Sequence, residues 1–126
     1  MEKIIIKTDQ APAPIGPYSQ AVQKGNMLFI SGQVPINPAT NSIEATDVSG
    51  EAEQVMKNLQ SVLDTAGFKF SDVVKTTIFL SDMAHFPLVN EVYGRYFEGD
   101  YPARETVAVK GLPRGVNVEI SMIAMK

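Results

Sequence analysis

An α+β fold, six strands in a mixed sheet with two helices on one of its faces, is what this sequence predicts. Two observations carry the prediction. Runs rich in Val and Ile, punctuated by Gly and Pro, alternate with two stretches whose apolar residues recur at spacings of three and four, in the order strand, strand, strand, helix, strand, helix, strand, strand. Six strands side by side span about 24 Å, and two helices about 10 Å wide cover only one side of such a sheet.

The elements follow in order. Residues 3 to 7 (Lys-Ile-Ile-Ile-Lys) suit a first strand with charged ends. Pro12, Pro14, Gly16 and Pro17 then force an extended or turning connection without regular pairing. Tyr18–Gln23 and Met27–Ser31 read as a hairpin about Lys24-Gly25-Asn26, ended by Gly32. Gln33 to Asp47 reads as a long surface loop. Ser49 is the expected cap of the first helix, with Glu51 and Glu53 near its positive end. Ala52, Val55, Met56, Leu59, Val62, Leu63 and Ala66 form its apolar stripe, and Gly67 stops it.

Asp72 to Ser81 is β-branched and reads as a central strand. Asp82 is placed to cap a second helix that tolerates Pro87 in its opening turn and presents Phe86, Val89, Val92, Tyr93, Tyr96 and Phe97 to the core. The last quarter, Tyr101–Val109 and Val116–Met125 about a Gly/Pro cluster, reads as an antiparallel strand pair. Alternation then gives Val118, Ile120, Met122 and Ala124 one face, matched by Val107 and Val109, and gives Arg104, Thr106, Glu119 and Ser121 the opposite one. The sheet side without helices is expected to carry Phe29, Phe79, Ala108, Ile123 and Ile5, too apolar for water. Self-association through it follows, with the polar set in or beside a subunit interface.

Composition narrows the function. At 126 residues, 44% of them hydrophobic, the chain fits a single domain over residues 1–126. A net charge of -3 and a pI near 5.1, with Lys and Arg scattered, argue against nucleic acid as a partner. Cysteine is absent, which removes disulfides, thiolate metal sites and thiol nucleophiles, and a lone His85 builds no metal site. The opening Met1–Lys7 is too short in apolar run for a signal peptide and no segment approaches membrane-spanning length, so the expectation is a cytoplasmic protein without a membrane partner. Gly111 and Gly115 flank a turn and lack the strand-to-helix context of a phosphate loop.

Ile15-Gly16-Pro17-Tyr18-Ser19-Gln20, Ser31-Gly32-Gln33-Val34-Pro35, Val89-Asn90-Glu91-Val92-Tyr93 and Pro102-Ala103-Arg104, followed by Val118-Glu119-Ile120, resemble the RidA/YjgF family of reactive-intermediate deaminases over essentially the whole chain. The resemblance implies a chorismate-mutase-like fold assembled as a homotrimer with sites between subunits. It implies hydrolysis of 2-imino or 2-enamino acids, made by pyridoxal-phosphate-dependent dehydratases, to 2-oxo acids and ammonia, with no cofactor or metal. By position, Arg104 holds the substrate carboxylate and Glu119 activates water, while Tyr18, Ser31, Gly32, Asn90 and Thr106 line the pocket. Two departures stand out: Thr106 replaces a cysteine of many relatives, and Glu105 replaces a small residue. Glu105 should point away from Arg104.

The chemistry suits these residue types. A guanidinium fork grips a carboxylate through two parallel bonds, and a partly desolvated Glu has its pKa raised towards that of a useful base. Two other functions stay open: a non-catalytic regulator binding 2-oxo acids in the same cleft, and ribonuclease activity. A structural reading also stays open, an Arg104–Glu119 ion pair at a sheet surface or interface.

Overall fold

A computed structural model describes all residues, 1–126. Its strands are β1 (Lys3–Ile6), β2 (Ala21–Lys24), β3 (Met27–Gln33), β4 (Val73–Leu80), β5 (Ala103–Ala108) and β6 (Val118–Met125). Helix α1 (Val48–Ala66) lies between β3 and β4, and α2 (Phe86–Gly94) between β4 and β5. The six strands form one sheet in the order β1-β2-β3-β6-β4-β5. Every pairing is antiparallel except β4 with β5.

Helix α1 forms where the apolar spacing demands it. Ala52, Val55, Met56, Leu59, Val62 and Leu63 are buried, and Gly67 closes the helix in the left-handed region at φ 80°. Its cap is Asp47, whose side chain accepts from the Gly50 N–H, rather than Ser49, which lies inside the first turn. The second helical segment starts with a 3-10 turn, Met83–His85, over which Asp82 accepts from the Ala84 N–H, and Pro87 sits in the first turn of α2. Val89, Val92 and Tyr93 are buried, with Phe86, Tyr96 and Phe97 packed beside them. Twenty-two buried residues form one core cluster between the helices and the sheet. Each fully buried Leu, Met or Ile in it contributes about 1.5–3 kcal/mol of transfer free energy.

The last two strands do not pair with each other. A 3-10 turn at Pro113–Gly115, with Arg114 at φ 58°, carries the chain past the end of β4, and β6 inserts between β3 and β4. Strand β5 instead lies parallel to β4 at the sheet edge, with Arg104 opposite Thr76 and Thr106 opposite Ile78. This reverses the side on which its residues stand. Thr76 and Ile78 are buried under the helices, so Arg104 and Thr106 are on the helix side, together with Ala108. Val107 is on the other side, opposite Phe79.

The side without helices carries the expected apolar residues, with Val107 in place of Ala108, in two rows separated by a polar row of Ser121, Thr77 and Glu105. Ile5, Val22, Phe29 and Ile123 make one row across four strands, and Glu119, Phe79 and Val107 make another. Ile5, Phe29 and Val107 are each more than 40% exposed. Buried polar side chains secure the long connections. Gln20 bonds the backbone of Thr8, Ala11 and Pro12, and Asn58 donates to the carbonyls of Val34 and Ile36.

Candidate active site

The seven residues singled out from the sequence fall into two groups, one on each side of the sheet. Tyr18, Ser31, Gly32 and Glu119 line one cleft of about 540 Å³, with Arg114 at its rim. Asn90 and Arg104 line another of about 480 Å³, with Tyr93, Tyr101 and Pro102. Thr106 is two residues along the Arg104 side of β5, and its buried Oγ1 has no hydrogen-bond partner.

The first group is built around a bulge. Strand β3 does not end at Gly32; it continues to Gln33, and the pairing with β6 slips between Ile30 and Gln33 so that Ser31 and Gly32 stand out of register. The Ser31 hydroxyl donates to the Ser19 carbonyl at 2.6 Å, tying the bulge to the segment that carries Tyr18. Tyr18 itself is half exposed. Glu119 is partly buried, forms no ion pair, and faces the bulge. Burial pushes its carboxyl above the usual carboxylate range.

The second group rests on α2. The Arg104 guanidinium lies 5.1 Å from the Tyr93 ring centre and 5.5 Å from that of Phe86. Those rings hold the cation without neutralising it. Tyr93 is fixed in turn by its hydroxyl, which donates to the Thr76 Oγ1 at 3.0 Å. Its phenol is raised, chiefly by burial.

Within one chain Arg104 and Glu119 therefore do not meet. They are two strands and three residues apart, roughly 14 Å between backbones, and their side chains leave opposite faces of the sheet. A surface ion pair between them is excluded in the single chain. Glu105 faces away from Arg104, as expected, and is paired with Lys75 at 3.1 Å. Three contributors escaped the sequence reading of the site: Tyr93 was legible as a core residue and as the end of a motif, Phe86 only as a core residue, and Arg114 only as turn chemistry. No group of three or more His, Cys, Asp or Glu is placed to hold a metal ion. No helix is long and apolar enough to cross a membrane.

A mixed six-stranded sheet with two helices on one face and paired clefts at the bulge and at α2 defines the class. The family model described as Endoribonuclease L-PSP matches residues 8–126, and the chain belongs to this family, the RidA/YjgF family. Protein DfrA of Myxococcus xanthus is 56% identical, over 99% of this chain and 97% of its own length. A mouse 2-iminobutanoate/2-iminopropanoate deaminase is 49% identical, over 97% of this chain and 90% of its own. A crystal structure from Thermotoga maritima superposes with a TM-score of 0.96 at 49% identity, covering 100% of this chain and 98% of that one. That of E. coli TdcF with bound serine superposes at 0.93 and 40% identity, covering 98% of each chain.

Proposed function

We propose that the protein hydrolyses 2-imino acids, and the 2-enamino acids in equilibrium with them, to 2-oxo acids and ammonia, at sites completed between copies of the chain in a homotrimer. The observation that carries this reading is the Glu119 carboxylate: partly buried, unpaired, raised in pKa and facing a cleft large enough for a small acid. The mouse and mite relatives named as 2-iminobutanoate/2-iminopropanoate deaminases, at 49% and 45% identity, support the reaction class. TdcF with bound serine supports a small amino-acid-like ligand.

Arg104, held over the rings of Tyr93 and Phe86, would clamp the substrate carboxylate, with Asn90 and the unpartnered Thr106 hydroxyl beside it. A neighbouring chain would supply Glu119, Tyr18 and the Ser31-Gly32 bulge. The apolar rows on the sheet side without helices, with Phe29, Ile123, Phe79 and Val107, support such an assembly. Glu119 takes a proton from water as the water oxygen bonds to the iminium carbon. The proton returns to the nitrogen of the carbinolamine. As the C–N bond breaks and ammonia leaves, Glu119 takes the hydroxyl proton so that the C=O of the 2-oxo acid forms; this proton, which balances the one that made the iminium, is then released. Water and imine are consumed, and 2-oxo acid and ammonia are produced, with no cofactor in the balance.

Substrates of this kind are supplied by reactions that eliminate water from hydroxy amino acids, the chemistry of pyridoxal-phosphate-dependent dehydratases, and we place the activity in the cytoplasm with them. A net charge of -3 offers no field for a polyanionic substrate such as RNA. The test adds the protein to a dehydratase reaction and follows ammonia and 2-oxo acid release. Faster release that Arg104→Ala abolishes, with the oligomer intact, is expected. Unchanged rates with wild-type protein over a range of imino acids would overturn the reading and favour a ligand-binding regulator.

A further inference from the structure

Glu51 is the one carboxylate among the buried residues, 7% exposed, and no cation lies within ion-pair distance. A buried carboxylate is costly unless hydrogen bonds satisfy it. Both bonds that Glu51 receives come from one residue: the Asn117 N–H reaches Oε1 at 2.8 Å and the Asn117 Nδ2 reaches Oε2 at 2.7 Å. Asn117 is held from the other side by the end of β4. The Ser81 hydroxyl donates to the Asn117 Oδ1 at 2.7 Å, and the Ser81 N–H donates to the Asn117 carbonyl at 3.0 Å.

Asn117 thus joins the first turn of α1 to the junction of β4 and β6, immediately before β6 begins. From there the register runs Val118 to Leu80 and Glu119 to Phe79. Glu119 is therefore the second residue of a strand whose start has its backbone N–H tied to a helix side chain. Asn117 anchors the start of β6, the end that carries Glu119; further along, the strand is held by its ladders with β3 and β4, while the preceding turn at Arg114 and Gly115 is exposed and left-handed.

We propose that Glu51 is a positioning residue for the deaminase site: through Asn117 it fixes the start of β6 and so holds Glu119 at the Gly32 bulge. The assignment rests on the reading of Glu119 as the group that activates water. It explains why an acid is kept at this buried position. A carboxylate accepts from both the backbone and the side chain of Asn117 at once, and the positive end of α1 favours it there.

The experiment compares Glu51→Ala and Glu51→Gln by two readouts, turnover of an imino acid and the titration of Glu119 followed by carbon NMR in protein without substrate. A glutamine keeps an acceptor for the Asn117 N–H, and a turn of the Asn117 amide lets its Oδ1 accept from the new NH₂ while Nδ2 serves the Ser81 hydroxyl. It also removes the charge, so it separates the hydrogen bonds from any direct repulsion of Glu119. Around Glu119 itself, the cleft presents Tyr18 and Arg114 as ionisable neighbours, while β4 presents Phe79.

Glu51→Ala is expected to lower kcat about ten- to a hundredfold with KM within about twofold, the signature of a misplaced group rather than lost binding. It is also expected to move the Glu119 midpoint down towards that of an ordinary carboxylate as water enters. Glu51→Gln is expected to restore most of both. Unchanged kcat and an unchanged Glu119 titration in Glu51→Ala would overturn the proposal, as would equal losses in the two variants. Should the wild type turn over no imino acid, the deaminase reading fails on its own. The NMR comparison then still decides whether Glu51 positions Glu119.

Discussion

A Cβ placed on Gly32 would stand 2.8 Å from the carboxyl carbon of Glu119 and 3.0 Å from its Cγ. The two residues belong to neighbouring strands, and the carboxylate occupies the room that the missing side chain leaves. Gly32 has no positive φ, so glycine is needed here for clearance and not for backbone freedom.

Gly32→Ala is therefore expected to fold normally, because the position is exposed within the chain and its backbone suits any residue. The carboxylate must swing aside, and a displacement of about 1 Å costs roughly a hundredfold in turnover. Steady-state kinetics beside a thermal unfolding curve check this. Full activity in a well-folded Gly32→Ala protein would show that the location of Glu119 is not critical.

Desolvation by burial raises the Glu119 carboxyl, so the folded chain keeps this proton at pH values where the unfolded chain has released it. The group's contribution to stability is present below the ordinary carboxylate pKa and is lost as pH rises through the folded value. Glu119→Gln, neutral throughout, should melt higher than wild type at pH 7, with the gap closing below about pH 4. The same variant should lose about 10²- to 10⁴-fold in rate. A melting difference that does not change with pH would contradict the assigned cause.

Tyr93 separates packing from hydrogen bonding. Tyr93→Phe keeps the ring under Arg104 but leaves the fully buried Thr76 Oγ1 without its donor, costing about 1–3 kcal/mol of stability with KM little changed. Tyr93→Leu removes the ring itself and should raise KM several-fold, since a cation–π contact is worth about 0.5–2 kcal/mol. Chemical denaturation and substrate titration of both variants distinguish the two effects.

Much of the fold could be read from the sequence because the signals are local. The three-and-four spacing from Ala52 to Leu63 needs no knowledge of neighbours, and Gly67 ends the helix for a backbone reason of its own. The cap moved from Ser49 to Asp47 because both residue types can cap and only tertiary contacts choose between them. Strand partners are not local. Gly111, Pro113 and Gly115 have the composition of a hairpin, yet the turn passes over β4 and lets β6 enter the middle of the sheet.

That one difference decided the geometry of the candidate site. Alternation tells which residues of a strand share a side, but whether Arg104 and Glu119 share one depends on how β5 and β6 are connected through β4. Motif residues were legible one by one; their separation to opposite sides of the sheet was not. The supporting residues were hidden for a related reason. Tyr93 and Glu51 sit in patterns that a core helix and a helix start would show anyway, and only the contacts to Arg104 and Asn117 reveal a further role.

The central proposal is that one chain supplies the guanidinium and another the carboxylate, and subunit mixing tests it most directly. Arg104→Ala and Glu119→Gln proteins, each inactive alone, are unfolded together and refolded in equal amounts, and imino acid hydrolysis is measured. A site then works when its carboxylate comes from an Arg104→Ala chain and its guanidinium from a Glu119→Gln chain, so random mixing should restore about one quarter of wild-type activity. A mixed assembly that forms but stays inactive would contradict the account.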